Sequence, residues 1–183
     1  MAGRTLALLP APSGPPTGSA DALSRQPERP NPALADEVCE EIGKQLQLTL
    51  VELIALSLAG KQLQWTSYGR EFAGVHRYLD AVVGEWRELE DVVAARAAAV
   101  GIALDWSAAA VIELDDHRPL EPGFTEVGCA VERLCSQLWD VALRVRQRAA
   151  PLGALDAVSQ HVLIGVQREL EEQLWMLRSQ LAD

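Results

Sequence analysis

The sequence predicts an all-α protein: a bundle of four long helices, with a short helix in the long crossover between helices two and three. Three observations carry the prediction. Apolar residues recur at steps of three and four along four separate stretches, a spacing that stays on one face only in a helix. Each stretch runs well past the usual length of a strand. Between residues 102 and 122 the periodicity lapses, over more chain than a direct turn between neighbouring helices needs.

Residues 1–33 are a different material from the rest. Seven of the ten prolines lie there, spaced by Gly and Ser, and such a segment buries too little apolar surface to order itself. It is expected to be a disordered tail. Leu6-Ala7-Leu8-Leu9 after Arg4 faintly resembles a leader peptide, but Pro10 cuts the apolar run short. The bundle occupies residues 34–183. Its first helix is expected from about Leu34 to Gln64, with Val38, Ile42, Leu46, Val51, Leu53, Ile54, Leu56 and Leu58 making an increasingly apolar surface. Thr66 to Gly69 form the turn into the second helix. That helix carries Phe72, Val75, Leu79, Val82, Trp86, Leu89 and Val93 and stops at Gly101, which tolerates the left-handed backbone of a helix end.

Inside the crossover, residues 106–112 (Trp106 to Ile112) suit a short helix with Ser107 near its cap. The third helix starts after Pro122-Gly123, with Thr125 as its cap, and shows Val127, Val131, Leu134, Leu138, Val141 and Val145 on one face. Its end is set near Arg148. Arg144, Arg146 and Arg148 then suit the partial negative charge of a helix C-terminus, ahead of a nucleic-acid patch. After the break at Pro151 and Gly153, Val158, Val162, Val166, Leu170, Leu174, Leu177 and Leu181 define the fourth helix.

The 183 residues are enough for one domain with a sizeable core, and 49% hydrophobic with 23% charged residues is a globular composition. A formal net charge of −10 argues against a surface that coats nucleic acid. Arg4, Arg25 and Arg29 against Asp21 and Glu28 leave the tail at only +1, so DNA binding is expected to be weak or absent. No DNA-binding tail is expected after Asp183. No stretch reads as long and apolar enough to span a membrane. Cys39, Cys129 and Cys135 show no paired spacing and read as three reduced, partly buried thiols of a cytoplasmic protein.

Beside the apolar stripe of the second helix runs a polar line. His76 and Asp80 are four apart and meet one turn apart on one face. Asp91 follows three turns on, roughly 16 Å along the axis at about 1.5 Å per residue. One ion cannot reach all three within a chain. A second copy of this helix, packed antiparallel about a two-fold axis near Gly84 and Glu85, would bring its Asp91 to the first copy's His76 and Asp80. Glu85, Glu88 and Glu90 are read as charges facing solvent or a cavity, and His117 as an ordinary surface residue. No phosphate-binding glycine loop, zinc-ligand pairing or activated nucleophile is visible.

Lys61, Gln64, Trp65, Gly69, Phe72, His76, Asp80, Asp91, Ala95 and Arg96 keep a longer spacing that resembles the Dps family, the miniferritins. That family's signature runs K-x-x-H-W, then G-x-x-F-x-x-x-H-x-x-x-D, then D-x-x-x-E-R. Leu174, Trp175 and Met176 resemble its last helix. The resemblance implies a ferritin-like four-helix bundle, a hollow homo-oligomeric shell of twelve copies, iron binding and storage, and protection against peroxide. By family roles His76 and Asp80 ligate iron from one subunit and Asp91 from its two-fold mate. Two family ligands are lost: Gln64 stands for a histidine and Ala95 for a bridging glutamate. An amide is a poor iron ligand and a methyl group is none, so the resemblance implies a single, weak iron site and a ferroxidase activity that is weak or absent. At the three-fold pore the family pattern falls on Asp156, Ser159 and His161, with an imidazole in place of the pore carboxylate. Rings of imidazole bind Zn(II) or Ni(II) readily. The alternatives are a non-enzymatic structural shell, a subunit that co-assembles with an active paralogue, or a DNA-protecting nucleoid protein.

Overall fold

A computed structural model describes residues 34–114 and 120–181. The expectations for the tail (residues 1–33) and for His117 lie outside those residues. Helix α1 spans Asp36–Thr66 and buries Cys39, Ile42, Leu46, Leu50, Leu53, Leu56 and Leu63 along its length. A two-residue strand, β1 (Ser67–Tyr68), leads into α2, Phe72–Ala99. The predicted stripe is its buried face: Val75, Leu79, Val82, Trp86 and Val93 are all inside. Phe72 and Leu89, at the margins of the stripe, are only partly covered.

Gly101 ends α2 as expected, at φ 84°. Gly101 N donates to Ala98 O over 3.0 Å and Ile102 N to Ala97 O over 2.9 Å, the two bonds of a Schellman cap. Ile102 then drops onto α1 at Gly43, where a Cβ would lie 2.8 Å from its Cγ2, so only glycine admits the crossover this close. Ser107 caps the short helix α3 (Ala108–Leu114) by accepting from Ala110 N over 3.2 Å. Ala110 and Val111 of α3 pack on Val51 of α1, forming a small satellite to the main core.

A second short strand, β2 (Thr125–Glu126), pairs parallel with β1, Ser67 opposite Thr125. This moves the cap of α4 (Val127–Leu152) one residue from the expected Thr125. Thr125 is used in the strand pair, and Glu126 accepts from Gly128 N over 2.7 Å and Cys129 N over 3.3 Å instead. Helix α4 also runs through Pro151 to Leu152 rather than stopping near Arg148. Arg144 and Arg148 therefore do not complement a helix end. They cross to α1 and bind Glu52, whose side chain is 3% exposed; Arg148 does so with both terminal nitrogens, at 2.6 and 2.7 Å. Arg146 points outward toward Glu171 of α5 (Ala157–Leu181).

Helices α1 and α2 pack along their length, as do α4 and α5, and the pairs close on each other through α1–α4 and α2–α5 seams. Four long helices in two antiparallel pairs, with a long crossover holding a short helix, are a ferritin-like bundle. By length and composition α1 is apolar enough to cross a membrane, contrary to the expectation above. Much of its apolar surface is instead covered by the other helices: Cys39, Ile42, Leu46 and Leu53 are fully buried, while Leu58 is exposed. Cys39 and Cys135 are buried free thiols and Cys129 is an exposed one.

Candidate metal centre

The C-terminal turn of α1 and the first turns of α2 meet through the polar residues singled out above. Gly69 (φ 121°) and Glu71 (φ 55°) reverse the chain between them with left-handed backbone. Gln64, 3% exposed, lies where the two helices face each other. His76 Nδ1 donates to the Gln64 carbonyl over 3.1 Å, a bond that a carbonyl can only accept. The proton is thereby fixed on Nδ1 and the lone pair left on Nε2, the arrangement by which second-shell carbonyls orient metal-binding histidines. Phe72 sets the other side of the imidazole, ring centres 5.3 Å apart.

Asp80 is differently engaged. Lys61 Nζ lies 2.7 Å from its Oδ1, and Gln64 Nε2 donates to the same oxygen over 3.0 Å. Lys61 also donates to Gln64 Oε1 over 2.8 Å, closing a triangle of ammonium, amide and carboxylate. The hydrogen bonds from Lys61 and Gln64, reinforced by the Lys61 charge, hold the Asp80 carboxyl below the usual carboxylate range. In the sequence Lys61 is no more than a motif position. Its partner lies 19 residues away on another helix, which no spacing within one helix reveals.

Asp91 and Ala95 are exposed on α2, about three and four turns beyond Asp80. Among the described residues no group of three or more His, Cys, Asp or Glu side chains is arranged to hold a metal within one chain. Between Asp80 and Asp91, Glu90 turns toward α1 and accepts from Ser57 Oγ over 2.6 Å. Burial pushes its carboxyl up, with Ser57 and Arg87 opposing. Glu85 accepts from Gln173 Nε2 of α5 over 2.8 Å. Glu85 and Glu88 are exposed and line a groove, in keeping with charges facing solvent or a cavity, whereas Glu90 is half-buried against α1.

At the start of α5, Asp156 caps the helix by accepting from Ser159 N over 2.7 Å. Its Oδ2 also takes Arg96 Nη2 at 2.6 Å, while Arg96 Nε donates to Ser159 Oγ over 2.9 Å. Burial alone would raise the Asp156 carboxyl, but the bonds from Ser159 and Arg96 outweigh it and hold the group low. His161 is exposed one turn on and lines a groove of about 470 Å³ between α2 and α5, with Glu85, Glu88, Arg168 and Glu169.

The ferritin-like domain family matches residues 43–183. A DNA protection during starvation protein of Mycolicibacterium smegmatis is 31% identical over 153 residues, covering 82% of each chain. DNA protection during starvation protein 2 of Deinococcus radiodurans is 26% identical over 148 residues, 81% of this chain but only 61% of that protein. The fine tangled pili major subunit of Haemophilus ducreyi is 28% identical over 90% of this chain and 89% of its own. Among solved structures, Mycobacterium smegmatis Dps in its tetragonal form superposes with a TM-score of 0.80 at 29% identity, covering 84% of this chain and 93% of that one. With its bundle, its crossover and its spacing from Lys61 to Arg96, the chain belongs to the ferritin-like domain family and, within it, to the Dps proteins.

Proposed function

We propose that the chain assembles into a closed shell of twelve copies that binds and stores iron and lowers peroxide stress, with a weakened oxidation centre. The observation that carries this reading is the pair His76 and Asp80, one turn apart on α2, with the His76 lone pair directed to Nε2 by the Gln64 carbonyl. In a two-fold dimer the mate's Asp91 completes a set of one imidazole and two carboxylates, donors suited to Fe(II). Fe(II) is the substrate, and its electron passes to oxygen or peroxide. Gln64 and Ala95 contribute no ligand, which makes the centre slow. Exposed apolar side chains near the same helix ends, Trp65 at 71% and Tyr68 at 54%, support a subunit contact there.

The test is anaerobic Fe(II) addition to the purified protein, followed by oxygen or peroxide, with ferric absorbance recorded beside light scattering. Slow but measurable ferric growth in particles many times 19.9 kDa is expected. A stable monomer refutes the shell reading, and oxidation no faster than in buffer refutes the iron-handling one. A second reading, a structural assembly without oxidation chemistry, is favoured by the pilus-subunit relative; assembled particles inert toward iron are its signature. DNA protection ranks third, because the overall charge is −10 and the tail holds three arginines and no lysine.

A further inference from the structure

We propose that the groove between α2 and α5 binds a linear aliphatic polyamine, with ammonium groups drawn to Glu85 and Glu88 and methylenes laid along its apolar surface. The inference stands on the single chain and requires neither a shell nor iron. The groove holds about 470 Å³, and Leu89, Val92, Val162 and Val166 give it an apolar lining. Glu85 and Glu88 stand three apart on the α2 wall, where side chains of one helix are neighbours. Among the described residues no cation pairs with either of them, whereas Arg168 on the α5 wall is paired with Glu169 at 2.6 Å.

Two features mark the groove as shaped for a ligand. Glu85 is exposed, yet its carboxylate is set from the core. Trp86 Nε1 donates to Gln173 Oε1 over 2.7 Å, and Gln173 Nε2 donates to Glu85 Oε2 over 2.8 Å. Trp86 is fully buried and Gln173 is 2% exposed, so a rigid interior amide fixes a surface carboxylate, the support that a binding site needs. Gly165 is the second feature. Glycine inside a helix is destabilising relative to alanine, and no close packing demands it here, since a Cβ would meet nothing within 4 Å. A side chain at 165 would occupy the groove instead. The charges along the groove are spread out: among the described residues no three His, Cys, Asp or Glu side chains are placed to hold a metal ion. Separated carboxylates over apolar surface match a cation whose charges are themselves separated by methylenes.

The experiment is calorimetric titration of the full-length protein with spermidine at about 0.15 M salt, where distant exposed charges are screened. One spermidine per chain is expected. Hexaamminecobalt(III) carries the same charge without an aliphatic body and should bind roughly tenfold more weakly. Gly165→Leu fills the groove and should weaken spermidine binding by roughly tenfold or more; Val92→Trp replaces it should the leucine variant fail to fold. Glu88→Gln should cost roughly threefold, within the range of a partly exposed ion pair. Glu37→Gln removes the same charge from α1, outside the groove, and should leave binding unchanged. The proposal is overturned if spermidine does not bind, if hexaamminecobalt(III) binds as tightly, if the filled groove binds as well as wild type, or if Glu37→Gln weakens binding as much as Glu88→Gln does.

Discussion

Arg148 grips Glu52 through both terminal nitrogens, at 2.6 and 2.7 Å, across the seam between α4 and α1. The Glu52 side chain is 3% exposed and the Arg148 side chain 11%, so water does little to solvate either charge. Arg144 joins the same carboxylate. Glu52→Gln leaves two arginines facing an uncharged amide in a dry seam. It should lower stability by about 3 kcal/mol, the usual cost of breaking a buried pair from one side. Arg146→Ala is the control, because its contact with Glu171 is exposed and 3.5 Å long; it should cost no more than about 0.5 kcal/mol. Urea midpoints of the two variants decide the matter.

Gly60→Ala should destabilise the α1–α2 pair. A Cβ at Gly60 would lie 2.7 Å from both Trp86 Cζ3 and Val83 Cγ2. Trp86 cannot step aside, because its Nε1 donates to Gln173 Oε1 over 2.7 Å from a fully buried position. Overpacking of this kind costs about 1–3 kcal/mol, more than the roughly 1 kcal/mol alanine gains over glycine in helix propensity. A lower thermal midpoint than wild type is expected.

Tyr78 gives the fold an alkaline limit. Burial first, then the charges of Glu85 and Cys135, push its hydroxyl up to about 12 from an ordinary 10.0. The folded state therefore holds this proton more tightly than the unfolded chain does. The associated stability is complete below pH 10 and is lost as pH rises toward 12. Wild type should lose more denaturant resistance between pH 10 and 12 than Tyr78→Phe does. Their difference in phenolate absorbance should show a late-titrating group.

Gln64→His with Ala95→Glu should restore rapid iron oxidation. The first change supplies an imidazole and takes away the Oε1 that anchors Lys61. The second places a carboxylate one turn from Asp91 on an exposed helix face, at a propensity cost of a few tenths of a kcal/mol. Each single variant should fall short, since ligands of one centre act together. Initial ferric absorbance per subunit, with particle size checked for all four proteins, measures it. A wild type as fast as the double variant would show that the centre is not impaired.

The sequence by itself determined the helices, most of the stripe that each buries (Leu58 and Val158 are exposed instead), the Gly101 stop and the crossover with its short helix. These follow from a backbone period of 3.6 residues and from glycine's left-handed freedom, which are local properties of a chain. The same locality placed His76 and Asp80 on one face. Only the tertiary structure decided what faces them. Lys61 reaches Asp80 over 19 residues, Arg96 reaches Asp156 over 60, and Arg148 reaches Glu52 over 96. Each pairing depends on how far one helix is rotated and shifted against its neighbour, and a helical period fixes neither. The arginines on α4 show the consequence: their sequence position suggested a helix end, whereas a buried carboxylate on α1 supplied a partner the local pattern could not contain.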